Sequence, residues 1–136
     1  MKSYLDEILD FYEDNREMLL EPGRLEKAKQ CVLDLIGGGI AGGAWGGSEA
    51  DGGAERMKAL LDFGKMLSGG ESVCTVWGTS EKYSMPAAAF LNGTAASRLE
   101  LDDVTSVGAS VHPGASVIPA VMAVAERETL SGRDFL

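Results

Sequence analysis

Apolar positions recur along this chain at spacings of three and four, and glycine and proline break the pattern at intervals. Between Lys2 and Asn15, Leu5, Ile8, Leu9 and Tyr12 share one face, the repeat of an amphipathic helix with an acidic outer side. Ser3 and Glu7 stand four apart instead of at the capping-box offset of three, so that pair does not fix where the helix starts. Glu21-Pro22-Gly23 interrupts the repeat. A second helix from about Pro22 then carries Leu25, Ala28, Val32, Leu35, Ile36 and Ile40 in one stripe. It runs into Gly37, Gly38, Gly39, Gly42, Gly43, Gly46 and Gly47. Each glycine inside a helix costs roughly 1 kcal/mol against alanine, so such a run stays helical only where a neighbour packs on the bare backbone. The expectation is close helix packing that grades into a loop. A phosphate-cradling loop is the competing reading, but there is no G-x-x-x-x-G-K-S/T and no preceding strand.

Ser48 to Gly53 reads as a loop and Ala54 to Leu67 as a third helix, with Met57, Leu60, Leu61 and Gly64 on its buried face. Ser68-Gly69-Gly70 ends it. Ser72 to Trp77 alternates apolar with small or polar residues, a short extended segment, and Gly78 to Ser84 is a polar loop carrying Lys82. Met85-Pro86 opens a fourth helix reaching Leu101, lined by Ala87, Ala88, Leu91, Ala95 and Leu99. Asp102 to Val111 is a loop. Pro113 to Glu128 is a fifth helix, with Val117, Val121, Met122 and Val124 facing inward and Pro119 placed to kink it. The pattern predicts an all-α helical module with one short extended segment.

Composition narrows the partners. With 136 residues, 45% of them hydrophobic, the chain fits a single domain with one core. A formal net charge of −9 excludes the basic footprint that nucleic acid requires and disfavours anionic membrane surfaces. No apolar run is long enough to span a bilayer, and the acidic start is not a secretory signal. Cys31 and Cys74 are far apart and match no metal spacing, so free thiols and a cytoplasmic location are expected.

The stretch Asn92 to Pro119 holds the candidate chemistry: Glu100, Asp102 and Asp103 within four positions, then His112, the one histidine of the chain. Pro113 suits a first helical turn, where its missing N–H would have had no partner anyway. His112 then stands at the mouth of a helix and faces an acidic loop. The plain reading is a solvated turn and a histidine that caps a helix. The functional reading is shared proton transfer between carboxylates and imidazole, with backbone N–H groups of the first turn at Pro113 to Ser116 open to a substrate carboxylate. That suits proton abstraction α to a carboxylate, with loss of water or carbon dioxide. One histidine and three carboxylates are a thin set for zinc, and no cofactor is implied.

The run V-W-G-T-S-E-K-Y-S-M-P-A-A-A-F-L-N-G-T-A-A, then L-E-L-D-D-V, then H-P-G-A-S-V-I-P-A-V-M-A-V-A-E and S-G-R-D-F-L resembles the MmgE/PrpD family. That family includes 2-methylcitrate dehydratase, cis-aconitate decarboxylase and iminodisuccinate epimerase. The resemblance implies a lyase or epimerase of small di- or tricarboxylates. It assigns catalytic positions to Glu100, Asp102, Asp103 and His112, and substrate contacts to Thr105, Gly114 and Lys82. Two departures stand out: Val104 replaces the threonine of D-D-T, with Thr105 one step later, and Ser97 stands where N-G-T-A-A-H has histidine. The resemblance covers the front of a family protein, about Cys31 to Leu136. Residues 1–136 are therefore expected to form an incomplete helical domain without the smaller α+β lid, or the later histidine and lysines. Partners implied are a second copy of the chain or a complementing C-terminal chain. The alternative is a helical fragment without catalysis.

Overall fold

A computed structural model describes residues 2–43, 53–105 and 110–136. Its elements are α1 (Tyr4–Leu19), α2 (Pro22–Gly43), α3 (Gly53–Ser68), β1 (Cys74–Thr75), β2 (Lys82–Tyr83), α4 (Met85–Ser97), α5 (Pro113–Arg127) and α6 (Gly132–Phe135). The architecture is mostly helical, as the periodicity predicts. The extended segment acquires a partner: β1 and β2 pair antiparallel, with Cys74 opposite Tyr83 and Thr75 opposite Lys82. The polar loop before α4 is thus the return arm of a small hairpin, turning at Gly78 with φ of 76°, a backbone shape that suits glycine.

Helix α4 is the centre, packed by α2, α3 and α5. It buries Ala87, Ala88, Leu91, Asn92, Ala95 and Ala96, a face of small side chains that lets neighbouring backbones come close. The glycines of α2 are the counterpart. A Cβ on Gly39 would lie 2.5 Å from the Trp77 ring, and one on Gly42 would lie 2.0 Å from the Ala95 carbonyl oxygen. The glycine-rich stretch is therefore helical through Gly43 because a neighbour occupies the space of the missing side chains. Gly46 and Gly47 lie outside the described residues.

The same logic corrects the expected face of α5. Its buried residues are Gly114, Ala115, Pro119, Ala123 and Ala125, whereas Val117, Val121 and Val124 are exposed. Small residues win the inward side because α4 crosses close: a Cβ on Gly93 would stand 2.7 Å from the Ala115 carbonyl oxygen. Pro119 deprives that same carbonyl of its helical donor, yet α5 continues through it to Arg127.

Asn92 joins the hairpin to the bundle. Its amide oxygen accepts from the Trp77 N–H at 2.9 Å, and its amide nitrogen donates to the Thr75 carbonyl at 3.0 Å. Helix α1 behaves differently. Ser3 and Asp6 form the reciprocal capping box that Ser3 and Glu7 do not, and the helix runs to Leu19, but it buries none of its residues. Helix α4 also stops at Ser97, earlier than the apolar repeat suggests, which leaves Leu99 exposed. Cys31 and Cys74 are both free, the first exposed and the second buried. No helix among the described residues is long and apolar enough to cross a membrane.

Candidate functional site

Between the end of α4 and the start of α5, Thr105 and Val111 pair as an isolated antiparallel bridge. Thr105 N–H donates to the Val111 carbonyl at 3.0 Å, and Val111 N–H donates back at 3.4 Å. This bridge sets His112 beside the acidic residues that precede it. His112 Nδ1 lies 3.3 Å from Asp102 Oδ2, with the aspartate side chain 3% exposed and the imidazole 41%. The carboxylate is sunk and the ring reaches toward solvent. The proximity sets a sunken carboxylate beside one ring nitrogen and leaves the other side of the imidazole toward solvent.

Asp103 turns to another task. Its Oδ1 accepts from the Gly114 N–H at 2.9 Å, which places a carboxylate on the first turn of α5, where the helix dipole favours negative charge. His112 occupies the N-cap position but makes no side-chain cap bond, so the plain capping role passes from the histidine to Asp103. The first turn of α5 is correspondingly less open to a substrate carboxylate than the sequence suggests. Pro113 has no N–H to offer, and that of Gly114 is taken. Gly114 itself is tightly enclosed, since a Cβ there would sit 2.2 Å from Asp103 Oδ1.

Glu100 follows α4 in a left-handed conformation, φ 53°, which non-glycine residues adopt at a cost of about 1–3 kcal/mol. It lines a cleft of about 110 Å³ together with Ser97, Asp102 and His112. The three carboxylates expected to form one cluster therefore divide: Glu100 and Asp102 border the cleft with His112, while Asp103 braces α5. Thr105 contributes its backbone to the bridge.

Lys82 lies elsewhere. Its Nζ is 3.1 Å from Glu126 Oε1 and bonds to the Val73 carbonyl and the Thr75 hydroxyl. Glu126 is near the far end of α5, roughly 20 Å along the helix axis from His112 at about 1.5 Å per residue. The structure thus brings together Glu100, Asp102 and His112, and leaves Lys82 out of the cleft. Among the described residues no group of three or more His, Cys, Asp or Glu is placed to hold a metal ion.

A larger cleft of about 760 Å³ adjoins the first. Ser97 lines both. Arg56 from α3 and Arg98 from the end of α4 line the larger one, with Phe90 on its apolar wall. Arg98 Nη1 donates to the Gly42 carbonyl at 3.1 Å, a cation at the C-terminal end of α2. The sequence pattern did not single out Arg56. One arginine in the opening turn of a polar helix face carries no distinguishing signal.

The MmgE/PrpD N-terminal domain matches residues 7–136. The chain belongs to the MmgE/PrpD family. A cis-aconitate decarboxylase-like protein of Aspergillus oryzae is 34% identical to it, over 82% of this chain and 22% of that protein. The chain thus spans about a fifth of the length of the curated relative that it matches. No solved structure matches it. Ser97 at the end of α4, Glu100 and Asp102 after it, and His112 before α5 form the smaller cleft.

Proposed function

We propose that the chain is the N-terminal helical part of a lyase acting on small di- or tricarboxylates, and that it works by proton abstraction α to a carboxylate. The observation that carries this reading is the pair formed by sunken Asp102 and half-exposed His112 at 3.3 Å, in a cleft that Glu100 also lines. Asp102 orients the imidazole and stabilises it once protonated. In dehydration Nε2 is the base that removes the α proton as the hydroxyl leaves; in decarboxylation no α proton is removed, and the protonated imidazole gives its proton to the carbon that has lost carbon dioxide. Glu100 lines the same cleft and is a second polar group for the departing hydroxyl.

The same residues suit an epimerase, in which the proton is returned to the opposite face. Membership of the family supports lyase and epimerase alike. The printed name of the Aspergillus oryzae relative favours decarboxylation.

This span alone is expected to show no turnover. A general base supplies roughly 10²- to 10⁴-fold, and the remaining barrier reduction needs positioned cations and exclusion of water. Among the described residues the 110 Å³ cleft has no lysine or arginine in its lining, and His112 is 41% exposed. A complementing C-terminal chain, or the remainder of a family protein, would supply those parts. The test is to assay decarboxylation and dehydration with and without a co-expressed family C-terminal portion. Activity should require complementation, and His112→Ala should lower kcat by about 10²-fold or more. Turnover by the chain alone would refute the incomplete-site argument. Unchanged activity of the complemented His112→Ala protein would remove His112 from the mechanism. A complemented protein inactive on every di- and tricarboxylate tried would favour a helical fragment without catalysis.

A further inference from the structure

We infer that two copies of this chain pair by reciprocal docking: α1 of each lies in the groove that α2, α5 and α6 form on the other. The inference does not depend on the reaction proposed above. It starts from α1, which is 16 residues long and buries none of them. Leu5, Ile8, Leu9 and Tyr12 are each at least half exposed. They stand at i, i+3, i+4 and i+7, the anchor spacing of a helix that lies in an apolar groove. Tyr4 and Phe11, both exposed, widen that face. A lone helix of about this length is marginally stable in water, and an apolar face of this kind gains by resting on a surface.

A groove of the matching kind is present on the same chain. Ala28, Cys31 and Val32 of α2, Val117 and Val121 of α5, and Phe135 of α6 line a depression of about 240 Å³. Cys31, Val117 and Val121 are exposed in it. Its walls come from three helices, so a helix laid along it would be gripped from more than one side.

Charge selects the occupant. Helix α1 carries Asp6, Glu7, Asp10, Glu13, Asp14 and Glu17 against the one base Arg16. Glu13 follows Leu9 by four residues, and Glu17 follows Glu13 by four, so both border the apolar stripe. The whole chain has 12 basic residues, yet Arg24, Lys27 and Lys29 fall close together at the start of α2. Arg24 and Lys27 stand one helical turn before Ala28 and Cys31 of the groove, and so form its rim. Arg24 also lies 3.9 Å from Glu21, and Lys29 lies 3.5 Å from Glu26, exposed pairs that bind weakly and can be shared. Two copies with a net charge of −9 each repel as wholes. A contact between them needs surfaces of opposite sign, and α1 and this rim supply them. Each copy offers one helix and one groove, so two such contacts made reciprocally close a pair.

Cys31 reports on the contact, because it lines the groove and is exposed while Cys74 is buried. Its reaction with a maleimide, read by mass spectrometry, should slow about tenfold or more as the protein is concentrated through the monomer–dimer transition seen by light scattering. Exchange of charge then tests which surfaces meet. The double variants Glu13→Lys/Glu17→Lys and Arg24→Glu/Lys27→Glu change exposed positions only, and each should stay monomeric with Cys31 reactive. An equimolar mixture of the two should dimerise and protect Cys31 again, because each finds the opposite sign only in the other. Recovery in the mixture also shows that both variants are folded. A native dimer whose Cys31 reacts as fast as in the monomer would overturn the inference. So would a native monomer at every concentration, double variants that dimerise as the native chain does, or a mixture no more associated than its parts. None of these readouts involves turnover, so they stand or fall apart from the complementation test of His112.

Discussion

Glu126 shows how a single side chain ties elements together. Its carboxylate accepts from the Thr75 N–H at 2.7 Å, from the Thr75 hydroxyl and from Lys82 Nζ at 3.1 Å, which fastens α5 to both arms of the hairpin. Partial burial pushes its carboxyl upward, but the hydrogen bonds from Thr75 and the Lys82 charge outweigh it and hold the group below its ordinary value of 4.5. A carboxyl depressed in the folded state adds stability above its unfolded value, and that stability is lost as the pH falls through the folded one. Urea unfolding of the native protein and Glu126→Gln across pH 2.5 to 7, a window of about this width by that linkage, should show the difference between them shrink on acidification. With a side chain 36% exposed, solvent screening keeps that difference to about 1 kcal/mol or less. A difference that stays constant across this range would mean the charge contributes nothing. The residue scale is also where the sequence was least legible. Asp102 and Asp103 are neighbours of one type, yet one lies against an imidazole and the other caps a helix. Only the Thr105–Val111 bridge and the direction of α5 separate them, and neither leaves a mark in local propensity.

At the scale of elements, helices were legible wherever a repeat of three and four ran between breakers, and their inward faces were not always so. The third helix and the proline starts of the fourth and fifth agree closely with the pattern. The valines of α5 misled because hydrophobicity marks what can be buried, whereas the α4–α5 crossing is decided by what is small enough to approach. The glycines of α2 obey the same rule and make it testable. Gly42→Ala places a Cβ 2.0 Å from the Ala95 carbonyl oxygen, while Gly37 has open space around it. Gly42→Ala should cost about 1–3 kcal/mol through displaced backbone. Gly37→Ala should stabilise by up to about 1 kcal/mol through helix propensity. Thermal unfolding followed by circular dichroism reads both, and equal shifts in the two variants would mean that α2 does not pack on α4 as described.

On the scale of the whole molecule, the apolar surface exceeds what these elements cover. Leu5, Ile8, Leu9 and Tyr12 of α1 are each at least half exposed, and Val117, Val121 and Val124 form a second open stripe on α5. A periodic apolar face of this kind signals a partner surface, and both stripes belong to a chain that spans about a fifth of its curated relative. The isolated chain should therefore associate, with a second copy as the ordered outcome. Size-exclusion chromatography with light scattering should give a mass that rises with concentration, together with binding of a hydrophobic dye. Ile8→Glu and Val121→Glu separate the two stripes. Ile8 and Val121 are both exposed, so neither change removes core packing and the folded signal should persist. The variant that moves the mass toward monomer identifies the stripe that joins the copies. A monomer stable to dilution that binds no dye would show that the open faces of α1 and α5 remain solvated.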